Sequence, residues 1–350
     1  MIGKRATTRV SEMFEPMADI PITWVSAAVS AADRKASEAV ANGDRSIFGN
    51  ALPEFWSVRF VSPPRRVHHK FYNVICNPLL WFLLHRSWSP TFTPNIGDKE
   101  HDAWNRGYCA VNEAFAKEIS AVAGDGSLTL VSRDYQLMLV PGFVRDELPD
   151  SVIHHSFETP WPCPSEFELL PATWRAELLE SLMSADVLSF PSVVEIKAFI
   201  ACAQAHTSEL DTVRDGLVYR GHITHLSVSA PPVRAKQFKT LVEFPTTQRF
   251  VEGLTDSETR HTFVTVERAE PHKNIVRSIN AFGVLLKQQP ELASKVRFLL
   301  FLTPGPAHVS AYKRLSDEIR RSARRINQNF SDSNPVMSMK IAISIGRLLH

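Results

Sequence analysis

Phe263-Val264-Thr265-Val266-Glu267-Arg268-Ala269-Glu270-Pro271-His272-Lys273-Asn274 leads straight into a segment where Ile275, Ile279, Phe282 and Leu286 recur at helical spacing. The β-branched run predicts a buried strand, Pro271 and Asn274 supply a turn and an N-cap, and the whole reads as a strand-loop-helix unit. In open α/β sheets such a loop leaves the carboxyl end of its strand, where ligands bind. Here it carries Arg268 and Lys273 beside a helix N-terminus, and two cations with a positive dipole end suit a diphosphate. Solvated Arg and Lys are common in loops, so residue types alone leave a plain surface loop as the other reading.

The 350-residue chain exceeds the usual size of one domain, which predicts two cores. With 44% hydrophobic and 22% charged residues it has the composition of a folded globular protein, which excludes general disorder and a fibrous class. A formal net charge of +2 with mixed signs argues against nucleic acid as a partner; Arg320-Arg321 and Arg324-Arg325 read as a solvated helix face. Cys76, Cys109, Cys163 and Cys202 lie far apart without CxxC spacing, so neither zinc nor a disulfide framework is indicated. His68-His69, His154-His155, His222 and His225 lack carboxylate or cysteine partners at ligand spacing, and no metal is expected. Lys4 and Arg5 precede no apolar signal region, and the longest apolar stretch, Pro78 to Leu84, is far too short to span a bilayer. A cytoplasmic protein without membrane partners is the expectation; homo-oligomerisation is left open.

Outward from the opening stretch, strands alternate with helices. Residues 1 to 19 lack periodicity. Ile20 to Val29 and Phe55 to Val61 read as strands, with the polar segment from Asp33 to about Gly43 between them. Val67 to Trp88 is dense in aromatics, with Pro78 at a turn or kink. Trp104, Tyr108, Val111, Phe115, Ile119 and Val122 share one face of a helix from Asp102 that Gly124 stops. Strands are expected at Leu128 to Ser132, Val152 to Phe157 and Val187 to Phe190, and an apolar helix or turn at Gln136 to Leu148. A rigid loop Thr159 to Pro164 and helices at Trp174 to Met183 and Val193 to Ala205 complete this part. Leu217 to Ser229, around Arg220-Gly221, suits an antiparallel hairpin. The expected organisation is an α/β protein with a largely parallel, doubly wound domain over 20–230, a polar connection over 231–260 and a second α/β domain over 261–350. That second domain has a strand at Val296 to Leu302 and a long helix from about Ala307 to Asn327, after which the pattern stops near Ser331. Only its first βαβ portion is expected.

Three predicted strands deliver a charge at their carboxyl ends: Asp134, Glu158 and Arg268. Acids of the first domain facing cations of the second across a cleft would suit transfer between a polyol and a phosphorylated donor. The acids would accept hydrogen bonds from sugar hydroxyls, and Arg with Lys would stabilise charge on a departing diphosphate. The bland alternative is that Asp134 and Glu158 merely cap the helices that follow them.

Phe71-Tyr72-Asn73 with Asn77 and Trp81 resembles the FYNxxxNxxLW segment of the trehalose-6-phosphate synthase family, retaining glycosyltransferases of the two-domain GT-B fold. Asp134-Tyr135-Gln136-Leu137 is similar to its HDYxL motif, Thr159-Pro160-Trp161-Pro162 to its HxP(F/W)P motif, Leu170-Pro171 to the LP turn that follows, and Arg268 with Lys273 to its R-x4-K donor motif. The Pro271-x-Lys273-Asn274 version, with Trp161 and the early Trp24 strand, is closer to the branch of glucosylglycerol-phosphate synthase-like and validoxylamine-phosphate synthase-like members. Coverage runs from about residue 20 to 330. The resemblance implies a GT-B fold of two Rossmann-like doubly wound domains, the second incomplete. It also implies transfer of glucose from a nucleotide sugar such as UDP-glucose or GDP-glucose to a sugar or polyol phosphate with retention, without metal, cofactor or protein nucleophile. Tyr72, Trp81, Glu158 and Asp134 would contact the acceptor, and Arg268 and Lys273 the donor diphosphate; Asp134, Arg268 and Lys273 would carry the catalysis. Core packing is the other reading of Tyr72 and Trp81.

This chain departs from the family pattern at several points. Glu158 stands where the family has a His before TPxP, exchanging a donor for an acceptor, and Arg133 replaces the His of HDY. A phosphate-binding Arg of the family aligns with Pro306. The glycine-rich N-terminal loop and the DGxNLxxxE-type ribose loop have no counterpart in the sequence, so the chain reads as incomplete at both ends. A catalytically inactive homologue, or a glucosylglycerol-phosphate synthase-like enzyme, is the alternative expectation.

Overall fold

A computed structural model describes residues 19–87, 95–124, 126–230, 235–254, 261–305 and 310–340. The expectation for residues 1 to 18, the tail beyond 340 and the alignment position Pro306 lie outside them. The chain divides into two compact units, Met1–Pro231 and Pro232–His350.

The first unit holds a parallel pair, β1 (Ile22–Ala27) with β2 (Trp56–Val61), and a six-stranded sheet. The larger sheet is built from β3 (Thr129–Arg133), β4 (Val152–Ser156), β5 (Val187–Phe190), β6 (Leu210–Val213), β7 (Gly216–Tyr219) and β8 (His222–Val228), in the order β3-β4-β5-β8-β7-β6. Pairing is parallel from β3 through β8 and antiparallel across β7 and β6. The hairpin turns on Arg220 and Gly221, both at positive φ (49° and 80°), the geometry of a tight two-residue turn that follows strand twist. Strand β6 has no counterpart in the sequence reading; its residues are mostly exposed and carry no apolar alternation.

Between the strands run α1 (Ala31–Ala41) and two long helical rods. The first rod, α2, is α-helical at Arg65–His68, π-helical at His69–Leu80 and α-helical again at Trp81–Leu84. The expected break at Pro78 does not occur. The Trp81 amide donates to the Cys76 carbonyl, five residues back, and this wider winding accommodates a residue that has no N–H to give. The second rod, α3, runs through Asp98–Ala103, a π segment Trp104–Cys109 and Ala110–Ala123, ending at Gly124 (φ 59°). The rods cross at Gly107, where an added Cβ would stand 2.6 Å from the Lys70 Cβ and 2.7 Å from the Phe71 nitrogen; glycine lets the backbones meet. Helix α1 reads in the sequence only as a polar segment because it buries a single residue, Ala36; its start is fixed by a capping box between Ser30 and Asp33. Helices α4 (Val140–Glu147), α5 (Pro164–Phe167), α6 (Ala172–Leu182) and α7 (Val193–His206) follow. The core is strongly aromatic: Trp104 stacks on Trp174 at 4.3 Å, and Trp161 is enclosed by Phe157, Phe167, Phe190 and Phe199.

The second unit opens with α8 (Ala235–Glu243) and α9 (Pro245–Leu254), where the sequence suggests only a polar connection. Then come β9 (His261–Arg268), α10 (Ile275–Gln288), β10 (Val296–Thr303), α11 (Ser310–Asn329) and β11 (Val336–Lys340). The three strands form a parallel sheet in the order β11-β10-β9. The second unit therefore contains two successive βαβ crossovers rather than one. Strand β11 escapes sequence reading because Val-Met-Ser-Met-Lys is short and poor in β-branched residues. A second correction concerns β9: among the described residues it is an edge strand, with Phe263, Val264 and Val266 47%, 56% and 62% exposed, not a buried one. The core lies on the other elements, on Ile275, Ile279, Phe282 and Leu286 of α10 against Phe298, Leu300 and Leu302 of β10 and Ile319, Ala323 and Ile326 of α11. Arg320, Arg321, Arg324 and Arg325 are exposed on α11, the solvated face that their spacing suggests.

Candidate functional site

In the first unit the site is built at the carboxyl ends of β3 and β4. Asp134, one residue beyond β3, adopts φ 64° and ψ 175°, a conformation costing a non-glycine residue on the order of 1–3 kcal/mol. The strain is held by hydrogen bonds. The Asp134 amide donates to the Ser156 carbonyl at 2.8 Å, while its Oδ1 accepts from the Tyr135 amide at 3.1 Å and from the Thr159 hydroxyl at 2.9 Å. Asp134 thus caps the short 3-10 turn Tyr135–Leu137, as the bland reading expects, and remains half-buried at the rim.

Buried polar groups hold that turn from beneath. The Tyr108 hydroxyl donates to the Tyr135 carbonyl at 2.6 Å. Asn112, fully buried, donates from Nδ2 to the carbonyls of Tyr108 (2.9 Å) and Gln136 (3.0 Å) and accepts from the Leu139 amide (3.1 Å). A side-chain amide that satisfies three backbone groups fixes the loop far more firmly than apolar contact would. Tyr108 and Asn112 stand four apart on the apolar face of the second rod, and a polar Asn inside that stripe is the signal from which this framework could have been read.

Glu158 does not cap a helix: its carboxylate pairs with the Arg133 guanidinium, across the ends of neighbouring parallel strands. Burial pushes the Asp134 carboxyl above the usual aspartate value, the hydrogen bonds from Thr159 and Tyr135 oppose that, Glu158 adds to it and Arg133 works against it. Below the rim, burial holds His155 down to about 3, so this ring, bonded to the Ser132 hydroxyl at 2.8 Å, is neutral. Asp134, Arg133 and Glu158 line a cavity of about 960 Å³ whose walls include Thr23 and Trp24 of β1 and Phe115 and Ile119 of α3.

Trp81, half-buried on α2, approaches this turn, its ring 5.7 Å from that of Tyr135 and 3.8 Å from that of His85. Tyr72 lies further back along the same rod, 38% exposed and stacked on His68 at 5.6 Å. The structure therefore gathers Asp134, Glu158 and Trp81 around one turn and leaves Tyr72 apart from their direct contacts. Tyr72 stands outside the core, whereas Trp81 packs against it, so the core-packing reading holds in part for Trp81. Among the described residues no group of three His, Cys, Asp or Glu side chains is placed to hold a metal, and no helix is long and apolar enough to cross a membrane.

In the second unit the loop after β9 is a 3-10 turn, Pro271–Lys273, that enters α10 through Asn274. Asn274 occupies the N-cap position in the left-handed conformation (φ 53°) but makes no side-chain cap bond, contrary to the capping expected from its type. Both cations rest on carboxylates. Arg268 Nη1 is 2.8 Å from Glu270 Oε1, and Lys273 Nζ is 3.0 Å from Glu267 Oε2. Glu270 is buried, its other oxygen facing His272 Nδ1 at 3.6 Å. Burial raises its carboxyl above the usual glutamate value against the pull of Arg268 and Lys273, with Glu267 adding to the rise. Glu267 and Glu270 flank Arg268 in the opening stretch itself, and only the folded chain pairs them with the two cations. Chemically, the two cations can exchange their two carboxylates for a group that carries two negative charges.

The chain matches Glycosyltransferase family 20 over residues 4–349. It is 26% identical over 308 residues to an Aspergillus niger protein named alpha,alpha-trehalose-phosphate synthase [UDP-forming] 2, covering 86% of this chain and 60% of that one. It is 25% identical over 304 residues to a glucosylglycerol-phosphate synthase of Picosynechococcus, covering 80% and 59%. The chain thus spans less than two thirds of the length of these curated relatives, and 32% of that of an Arabidopsis thaliana trehalose-phosphate synthase. A solved E. coli structure described as trehalose-6-phosphate bound with UDP-2-fluoro glucose superposes with a TM-score of 0.77 at 18% identity, covering 93% of this chain and 75% of that one. The N-terminal domain of Candida albicans trehalose-6-phosphate phosphatase superposes at 0.75 and 21% identity, covering 92% and 65%. At these identities the structural likeness is one of fold, the α/β fold of GT-B glycosyltransferases. With a family match running almost end to end, the chain belongs to glycosyltransferase family 20.

Proposed function

We propose that this protein transfers glucose from a nucleotide-glucose to a sugar phosphate in the cytoplasm, with retention of anomeric configuration. The observation that carries the reading is the junction after β9, where Arg268 ends the strand and Lys273 ends the tight turn that follows it, each held by a carboxylate that a diphosphate can replace. The donor's diphosphate binds these two cations, and the acceptor binds at the first unit. There Asp134 accepts a hydrogen bond from the acceptor hydroxyl, Trp81 and Tyr72 offer aromatic faces, and Glu158 with Arg133 offers an acceptor and a donor to sugar hydroxyls. The bond from the anomeric carbon to the diphosphate oxygen breaks as the acceptor oxygen bonds to that carbon on the same face. The hydroxyl proton passes to the leaving diphosphate, whose charge Arg268 and Lys273 stabilise. This scheme calls for no protein nucleophile and no metal.

A second reading, a homologue that binds ligand without turnover, is favoured by one observation: both cations and Glu158 are already paired within the protein. One assay separates the two. Purified protein is given UDP-glucose or GDP-glucose with glucose-6-phosphate or glycerol-3-phosphate, and released nucleotide is measured. Release that needs an acceptor and disappears in Arg268→Ala supports transfer; no release with any donor and acceptor pair overturns it.

A further inference from the structure

In the transfer scheme Glu270 serves only as the carboxylate that holds Arg268, and its burial, its second oxygen and its proton have no part. The residue is 3% exposed, it lies two residues from Arg268, and one of its oxygens holds the Arg268 guanidinium at 2.8 Å. Its second oxygen is buried without a hydrogen bond, with the His272 ring nitrogen 3.6 Å away, too far for one. The Arg268 side chain is 53% exposed, so the pair has a buried acid and an accessible cation. An anion arriving from solvent meets the cation and leaves the acid behind.

We propose that Glu270 is a displaceable stand-in for the donor's diphosphate: its carboxylate holds Arg268 in place until a diphosphate takes that position, and Glu270 then takes up a proton from solvent. The inference rests on the reading of Arg268 as a donor-binding cation.

The argument is electrostatic. A buried carboxylate keeps its charge only while a cation or hydrogen bonds compensate for lost solvation. The charged groups around Glu270 are Arg268 at the end of β9, Lys273 and His272 on the 3-10 turn, and Glu267 on β9. Burial already raises the Glu270 carboxyl, and Arg268 is the largest influence holding it down. A diphosphate on Arg268 and Lys273 neutralises both of the cations that favour the charged form and adds negative charge nearby. Protonation is then the cheapest state for Glu270: carboxylate and solvent proton become a carboxylic acid, and no other bond changes. The consequence is regulatory. Donor affinity falls as pH rises, because proton uptake accompanies binding.

The test is isothermal titration of UDP-glucose into the intact chain near neutral pH, in two buffers of unequal ionisation enthalpy. UDP-glucose is the probe because its diphosphate, esterified at both ends, does not itself gain a proton in this range. The expected result is a buffer-dependent heat corresponding to uptake of a fraction of a proton up to one, lost in Glu270→Gln, which still binds, and retained in His272→Gln. Buffer-independent heats in the wild-type chain overturn the proposal, and so does proton uptake that persists unchanged in Glu270→Gln. If UDP-glucose does not bind at all, the donor-site reading itself fails; binding without proton uptake leaves that reading standing and removes only this inference. Far-ultraviolet circular dichroism of Glu270→Gln, an isosteric change, confirms that lost uptake is not lost folding.

Discussion

The loops after β3 and β9 have the same place in their sheets and opposite constructions. Both leave the carboxyl end of a parallel strand, and both carry the charges that the proposed reaction needs. The turn after β3 is fixed from below by Tyr108 and Asn112 and from the side by Thr159 and Ser156, so Asp134 keeps one strained conformation. The turn after β9 rests on ion pairs among its own side chains, three of whose four members are at least 30% exposed. The comparison teaches that an acceptor of fixed shape can be recognised by a preorganised carboxylate, whereas a diphosphate can be received by cations that exchange one anion for another.

The largest expected effect lies in the exchanging loop. Arg268→Ala should lower turnover by about 10²–10³-fold, the usual cost of removing one stabiliser of developing charge, while the melting transition of the first unit stays in place. Equal loss of activity and of folding would contradict the division of labour. Next is the framework of the fixed loop. Asn112→Ala removes three hydrogen bonds and leaves buried carbonyls unpaired, which should destabilise the protein by about 3 kcal/mol in denaturant titration and weaken acceptor binding without changing donor affinity.

Asp134→Asn isolates charge from position, because an amide oxygen still accepts from Tyr135 and Thr159. The folded-state carboxyl of Asp134 is raised, so its contribution to stability is greatest below the ordinary aspartate value and is lost as pH rises through the raised one. Asp134→Asn should therefore abolish that pH dependence and melt no lower than the wild type at neutral pH, while losing acceptor affinity. A lower melting temperature at neutral pH would show that the charge is compensated. Smallest is Glu267→Gln, which breaks a partly exposed pair with Lys273 and should change stability by less than about 1 kcal/mol, with donor binding becoming less sensitive to salt.

Much of the fold was legible because periodicity and turn chemistry agreed. β5 and β10 are predominantly apolar, β3 and β4 are short segments with an apolar pair between turn residues, and Ile275, Ile279, Phe282 and Leu286 mark α10 directly. What escaped has physical reasons. α1 buries too little to show a stripe, β11 is too short to show alternation, and the π winding that carries α2 past Pro78 has no composition signal. The positions of Asp134, Glu158 and Arg268 at strand ends followed from counting along the strands. The partners that govern them did not: Asn112 sits 22 residues away in sequence, and Glu270 looks like any loop acid until its burial is seen.

Native-state hydrogen exchange tests the contrast between the two loops most directly. The Leu139 amide, bonded to Asn112, should exchange only through opening of the first unit, with or without ligand. The amides of Lys273 and Asn274 should exchange much faster in the free protein and become protected when UDP-glucose is added. Equal protection of both loops in the free protein, or no added protection of the second by the donor, would contradict the account.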